Sequence, residues 1–137
     1  MSESLSKSKT TIFKHMCPIL SSANVVRDLK WYEEKTGFKN VFNSLDYNEE
    51  NSKLDYAVIS RDGLFIHLQL HAGTTEDPVY GGSIRIEVEN IQPLFEEFLE
   101  RETIKLESFR KNTPWGTNEF GFYDLNNNAI FFLENVR

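Results

Sequence analysis

The sequence predicts an α+β fold in which two β-α-β-β-β modules follow one another and form curled mixed sheets around a cup. Two segments have the apolar spacing of an amphipathic helix, and each follows an asparagine, Asn24 or Asn90. These asparagines lie 66 positions apart, and two turn segments, residues 62–64 and 126–128, lie 64 positions apart. A period shared by helices and hairpins indicates an internal repeat. With each helix on the outer face of its sheet, the inner faces of adjacent modules form the cup.

In the first module we expect a helix over residues 25–35. Apolar residues recur at positions 25, 26, 29 and 32, Asn24 offers an N-cap, and Gly37 offers a C-terminal stop. The Asp62-Gly63 pair predicts a tight hairpin turn. Pro18 indicates an edge or irregular position in the first strand, because proline donates no ladder hydrogen bond. The predicted strands are residues 12–22, 38–43, 54–60 and 64–70, with a polar, acidic loop at 46–52.

The second module repeats this order. Residues 83–89 alternate apolar and polar side chains, which is typical of a half-buried strand. Asn90 is expected to cap a helix with apolar positions 91, 94, 95, 98 and 99, and Pro93 falls in its first turn, where proline is tolerated. Three asparagines form the turn at residues 126–128, and asparagine tolerates the left-handed conformation of a tight hairpin. The remaining predicted strands are residues 104–110, 119–124 and 129–134.

Length and composition indicate one folded domain. The chain has 137 residues, 39% of them hydrophobic and 13% aromatic, which is enough for a buried core. We expect a flexible tail at residues 1–11 and a single domain at 12–137. That domain divides into a module at 12–72, a linker at 73–81 and a module at 82–137.

Charge and cysteine content narrow the function classes. The net charge is −6 and no cluster of Lys and Arg appears, which disfavours nucleic-acid binding because phosphates require a basic surface. No apolar run reaches 18 residues and the N-terminus is polar, so neither a membrane span nor a signal peptide is expected. Cys17 is the only cysteine, which excludes an internal disulfide and suits a reducing cytoplasm. An acidic balance fits a cationic small ligand, and it equally fits plain solubility.

The stretch from residue 113 to 134 carries a resemblance to a known family. Trp115-Gly116 is followed by the pattern E-F-x-F-x-D at 119–124, then by a turn and an apolar strand that ends in Glu134. This resembles the C-terminal signature of the vicinal oxygen chelate superfamily, which includes glyoxalases, bleomycin resistance proteins and dioxygenases. The bleomycin-resistance or glyoxalase-like branch is the most similar. The family usually has Asp-Pro-Asp-Gly-Asn where this chain has Asp-Leu-Asn-Asn-Asn at 124–128.

The resemblance covers roughly residues 12–136 and implies a cup-shaped fold and a homodimer. Members that bind a metal take its ligands from the first and fourth strands of each module, typically His, Gln or Glu. The corresponding positions here are Cys17, His67, Ser83 and Phe131. Phe131 has no lone pair and a neutral Ser83 is a poor ligand, so two ligands remain where zinc sites use three or four. We therefore predict no metal and no cofactor.

Strand alternation assigns the candidate ligand-binding residues. Cys17 is read as a small buried residue, His67 as a hydrogen-bonded cavity wall, and no catalytic residue is assigned. Trp115 is either a lid over the cup or packing against the sheet edge. Arg85 and Glu87 are either polar handles for a ligand or partners of each other. The residues expected to line the cup are Ile19, Phe65, His67, Arg85, Trp115, Phe131 and Leu133. Those expected to pack under the helices are Ile66, Leu68, Ile84, Ile86, Ile130 and Phe132.

The leading hypothesis is a metal-free, cytoplasmic small-molecule binding protein of the bleomycin-resistance type, acting as a homodimer and not as an enzyme. Its ligand would be partly aromatic, and a cationic part would suit the negative charge. One alternative is a metal-dependent glyoxalase-type lyase, transferase or dioxygenase. A second is a structural dimer without a ligand. No nucleic-acid or membrane partner is expected.

Overall fold

The computed structural model describes residues 9–46 and 53–137. Most of the predicted N-terminal tail and of the acidic loop at 46–52 therefore lies outside the described residues. The helices are α1 (Val25–Thr36) and α2 (Ile91–Glu100). The strands are β1 (Ile19–Ser22), β2 (Lys39–Asn43), β3 (Tyr56–Arg61), β4 (Leu64–Leu70), β5 (Ser83–Glu87), β6 (Thr117–Tyr123) and β7 (Ala129–Asn135).

Two mixed sheets form, one from each module, so the predicted α+β fold class is confirmed. The first sheet has the order β1-β4-β3-β2, and the second has the order β5-β7-β6. In each sheet the first strand of the module pairs in parallel with the last, and the other paired strands are antiparallel. Both sheets remain open. Among the described residues, no helix has the length and apolar content needed to cross a membrane.

The predicted strand at residues 104–110 is wrong. A 3-10 turn, Leu106–Ser108, interrupts it, and only Arg110 makes a β-bridge, to Glu119. The turn brings Phe109 against Phe95 of α2, with ring centres 4.7 Å apart. The chain in this segment therefore packs an aromatic side chain on the core instead of completing a fourth strand.

The first predicted strand is also much shorter than expected. Only its last four residues, Ile19–Ser22, pair with β4. Just before them, the Pro18 carbonyl accepts a hydrogen bond from the His67 backbone N–H. Proline cannot donate in return, so the ladder stops there. Further toward the N-terminus, Ile12, Phe13 and Met16 are strongly exposed.

The two helices begin by different means. At α1, the Asn24 side chain accepts a hydrogen bond from the Arg27 backbone N–H, and Gly37 ends the helix at a positive φ of 74°, as predicted. At α2, Asn90 makes no side-chain cap, which contradicts the prediction. Glu134 on β7 instead accepts hydrogen bonds from the first backbone N–H groups of that helix. A carboxylate at a helix N-terminus also complements the helix dipole.

The core lies between the two helices and the faces of the sheets that they cover. Phe98 of α2 packs against three aromatic rings of the second sheet, those of Phe120, Phe122 and Phe132. The residues predicted to lie under the helices do so: Ile66, Leu68, Ile130 and Phe132 are buried in this core, and Ile84 and Ile86 pack against it.

A buried polar network at the β6–β7 turn joins the two modules. Asn128 donates through Nδ2 to the Ser21 carbonyl and to Asp124, and its Oδ1 accepts from the Gly82 backbone N–H. The Asp124 carboxylate also accepts from the buried Tyr32 hydroxyl at 2.6 Å. The asparagine-rich turn therefore fixes the end of β1 and helix α1 against the second sheet.

Candidate functional site

The predicted cup residues that belong to strands lie on the sheet faces opposite the helices, and Trp115 lies in the turn before β6. On the first sheet, Ile19 pairs in register with His67, and Phe65 lies two residues earlier on β4. On the second sheet, Arg85 pairs with Phe131. Each sheet thus brings its own members of the set together. Leu133 shares the face of Phe131 but is buried, so it offers a ligand little surface.

A cavity of about 590 Å³ lies between the edges of the two sheets. Its walls come from residues 16–18, from the start of β4 at residues 64–66, and from β5 at residues 84–87. Most of these side chains are apolar, and Arg85 and Glu87 supply the charges. Two of the predicted residues, Phe65 and Arg85, therefore meet at this cavity. The other five, Ile19, His67, Trp115, Phe131 and Leu133, lie outside its lining.

Arg85 has a buried partner that the sequence analysis did not assign to the site. Its Nη2 donates to Glu119 Oε2 at 3.1 Å, and the Arg85 side chain is 45% exposed while that of Glu119 is 4% exposed. Trp115 Nε1 and the Thr117 hydroxyl donate to the same oxygen. Trp115 is thus tied to the second sheet while about half of it faces solvent. The sequence alone does not predict this pair, because β7 lies between the two strands and only the strand register brings Arg85 and Glu119 together.

These hydrogen bonds set the charge of Glu119. Burial by itself raises the pKa of a carboxyl group, because it disfavours the charged form. The donors Thr117, Arg85 and Trp115 outweigh burial here, so the pKa of Glu119 lies below its ordinary value. Glu119 is therefore an anion at neutral pH, and it attracts the Arg85 guanidinium.

Phe131 supports the other side of Arg85. The guanidinium carbon lies 5.8 Å from the centre of the Phe131 ring, which is a cation–π contact. The Phe131 ring itself covers Gly121, its cross-strand partner on β6. A Cβ at position 121 would stand 2.4 Å from the Phe131 Cδ1 atom, so glycine is required for the ring to lie flat there.

His67 lies on the corresponding face of the first sheet. Its Nδ1 is 2.6 Å from the Tyr56 hydroxyl oxygen, and the two rings meet edge to face. The interaction occupies one ring nitrogen and orients the imidazole. His67 is therefore hydrogen-bonded, but it is not part of the wall of the cavity described above.

The four positions where the resemblance places metal ligands do not fit a metal ion. His67 could ligate only through Nε2, since its Nδ1 contacts Tyr56. The Phe131 ring has no donor atom and lies beside the Arg85 guanidinium, whose positive charge repels a cation. Cys17 Sγ lies 3.6 Å from His15 Nδ1, a contact within the N-terminal segment. Across residues 9–46 and 53–137, no group of three or more His, Cys, Asp or Glu side chains is placed to hold a metal.

Comparison with known proteins identifies the fold. No family model matches the sequence, and no curated protein matches it. Solved structures do match. A glyoxalase-related enzyme from Clostridium phytofermentans is 16% identical with a TM-score of 0.69, over 94% of this chain and 100% of that chain. A bleomycin resistance determinant encoded on transposon Tn5 is 15% identical with a TM-score of 0.69, over 90% and 98%.

A third match is the bleomycin-binding protein from Streptomyces verticillus, solved with copper(II)-bleomycin. It is 20% identical with a TM-score of 0.62, over 90% of this chain and 97% of that chain. Identities this low establish the fold and leave the ligand open. The chain has the vicinal oxygen chelate fold, that of the glyoxalase/bleomycin resistance protein/dioxygenase superfamily.

Proposed function

We propose that this protein binds a small, partly aromatic molecule in the cavity between its two sheets and that it does so without a metal ion. The cavity carries the proposal. Its volume of about 590 Å³ falls within the range of small-molecule sites, which is on the order of 300–1,000 Å³. Such sites combine apolar walls with a few polar groups that orient the ligand, and here Arg85 and Glu87 are the charged groups.

The proposed role is sequestration of that molecule, and bleomycin-binding proteins that share the fold support a binding role. The net charge of −6 favours a ligand with a cationic part, because a negative protein concentrates cations around itself. Glu87 is the carboxylate at the cavity toward which such a part would be drawn.

The cytoplasm is the proposed compartment, since the chain has one cysteine and no disulfide to maintain.

A metal-dependent lyase, transferase or dioxygenase is the enzymatic alternative on this fold. A catalytic zinc takes three protein ligands and keeps one open position. The four positions where the resemblance places ligands hold Cys17, His67, Ser83 and Phe131, and this set lacks the donors for such a site. We therefore favour binding over catalysis.

Ligand-induced stabilisation tests the proposal. The metal content of the purified protein is first measured by elemental analysis. The protein is then screened by thermal shift against a panel of small aromatic compounds, and some of these should raise its melting temperature. A ligand that binds only the folded state stabilises that state. Phe65→Ala should reduce these shifts because Phe65 lines the cavity. Tyr80→Ala, which removes an exposed aromatic outside the cavity lining, should leave them unchanged. Stoichiometric zinc, iron, nickel or manganese in the purified protein would favour the enzymatic alternative.

We also propose that the protein is a homodimer. Ile12, Phe13 and Met16 expose apolar side chains on the segment before β1, and Met16 also lines the cavity. Exposed apolar side chains of this kind are typical of interfaces. Analytical ultracentrifugation at micromolar concentration should give about twice the chain mass of 16.0 kDa. A monomer under those conditions would contradict the dimer. A dimer that responds to no ligand would instead support the purely structural alternative.

A further inference from the structure

We infer that Arg85 anchors a carboxylate, or a similar planar anionic group, on the ligand, and that Glu119 is the positioning residue that holds Arg85 ready for it. The inference rests on the proposed function and adds a ligand class to it. The resulting ligand has an apolar or aromatic body in the cavity and an anionic group at Arg85.

The donors of Arg85 are only partly used. Its guanidinium carries five N–H groups, and Nη2 donates a hydrogen bond to Glu119. In the described part of the chain, Nε and Nη1 donate to no protein acceptor. The side chain is 45% exposed and lines the cavity. Nη2 also keeps a second N–H, which forms a planar fork with one of these donors, and the two oxygens of a carboxylate can accept from such a fork at once.

The guanidinium is held on two sides before any ligand arrives. Glu119, on the same face of the second sheet, attracts it, and the Phe131 ring lies 5.8 Å from its central carbon. Glu119 is itself fixed, because Oε2 also accepts hydrogen bonds from Trp115 and Thr117. A flexible arginine loses rotamer freedom when it binds, and prior ordering reduces that loss.

The local charges favour an anion at this end of the cavity despite the overall charge of −6. Glu119 is buried and already accepts three donors, so it is a poor second site for a cation. Arg110 adds another guanidinium, stacked 4.9 Å from the Trp115 ring centre, and forms no ion pair with a described residue. Glu87 lies two residues along β5 from Arg85. A ligand that carries both charges would place its anion at Arg85 and its cation toward Glu87.

Three matched probes test the charge preference. 3-Phenylpropanoate, its neutral amide 3-phenylpropanamide, and 2-phenylethylammonium share a phenyl ring and differ in the charged group. Their affinities can be measured by NMR titration of the ¹⁵N-labelled protein. The Trp115 indole N–H, which contacts Glu119, reports on the site, and the Trp31 indole serves as the internal reference. We expect the carboxylate to bind at least about tenfold more tightly than the amide, as a charge-assisted hydrogen bond warrants.

Variants locate the origin of the preference. Arg85→Met keeps an apolar stem and should reduce the carboxylate-to-amide ratio to about one, with the affinity for the amide retained. Glu119→Gln leaves the arginine charge in place and should lower the same ratio by loosening Arg85. A ratio that is unchanged or higher, as loss of the competing negative charge alone would produce, overturns the positioning role of Glu119. Arg27→Met is the matched control, since Arg27 is a 42% exposed arginine that pairs with the buried Asp28 and lies outside the cavity lining. It should leave the ratio unchanged.

Each outcome decides between the possibilities. The role of Arg85 as the anchor is overturned if the wild-type protein prefers the amide or the ammonium. It is also overturned if Arg85→Met keeps the preference for the carboxylate. In both cases the proposal that the protein binds a ligand still stands. Failure of all three probes to bind at millimolar concentration, together with a negative ligand panel, overturns the proposed function as well. The wild-type comparison needs no variant, so it decides even if a substitution prevents folding.

Discussion

Phe132→Ala should lower the free energy of unfolding by about 3–5 kcal/mol, the usual cost of removing a buried phenylalanine side chain. Phe132 is buried among the rings of Phe98, Phe120 and Phe122, so its removal leaves a cavity in the aromatic core. Chemical denaturation followed by circular dichroism would measure the loss. A rigid aromatic cluster cannot close around the missing ring, which places the expected cost at the upper end for a core residue.

The neighbouring residue provides the control. Phe131 occupies the opposite face of the same strand, over Gly121 and beside Arg85. Phe131→Ala should cost less stability. It should also weaken ligands that depend on Arg85, because the cation–π support of the guanidinium is lost. If Phe131→Ala unfolds the protein and Phe132→Ala is tolerated, the assignment of the two faces is reversed and the proposed site is refuted with it.

Asn128→Ala should destabilise the protein by about 3 kcal/mol or more. The side chain is fully buried and makes hydrogen bonds to Ser21, Gly82 and Asp124. Its removal leaves a backbone carbonyl and a backbone N–H without these partners, and each buried unsatisfied group costs about 1–3 kcal/mol. Because this network joins the two modules, thermal unfolding should also lose cooperativity, which calorimetry can detect as a gap between calorimetric and van't Hoff enthalpies.

Asn127→Gly is the matched control for this prediction. Asn127 is exposed and has a positive φ of 63°, a conformation that glycine adopts readily. The substitution should change stability little. An Asn128→Ala variant as stable as Asn127→Gly would show that the network does not hold the modules together.

The sequence by itself determined the elements whose signals are local. Helix α1 followed from apolar spacing, Asn24 and Gly37, and the hairpin at residues 61–64 followed from Asp62-Gly63. The period of two along a strand also separated the two faces correctly, so that Ile66 and Phe132 lie in the core while Phe65 and Phe131 do not. These features depend on backbone geometry within a few residues, which is why one sequence suffices to predict them.

Only the tertiary structure decided the features that depend on distant partners. Residues 104–110 have an extended pattern, yet packing of Phe109 on Phe95 replaces the strand with a turn. Helix α2 is capped by Glu134, more than forty residues beyond its start. Arg85 and Glu119 belong to strands that are not neighbours, and β7 lies between them. Such pairings are set by strand register and core packing across the whole chain, and local propensity contains no information about them.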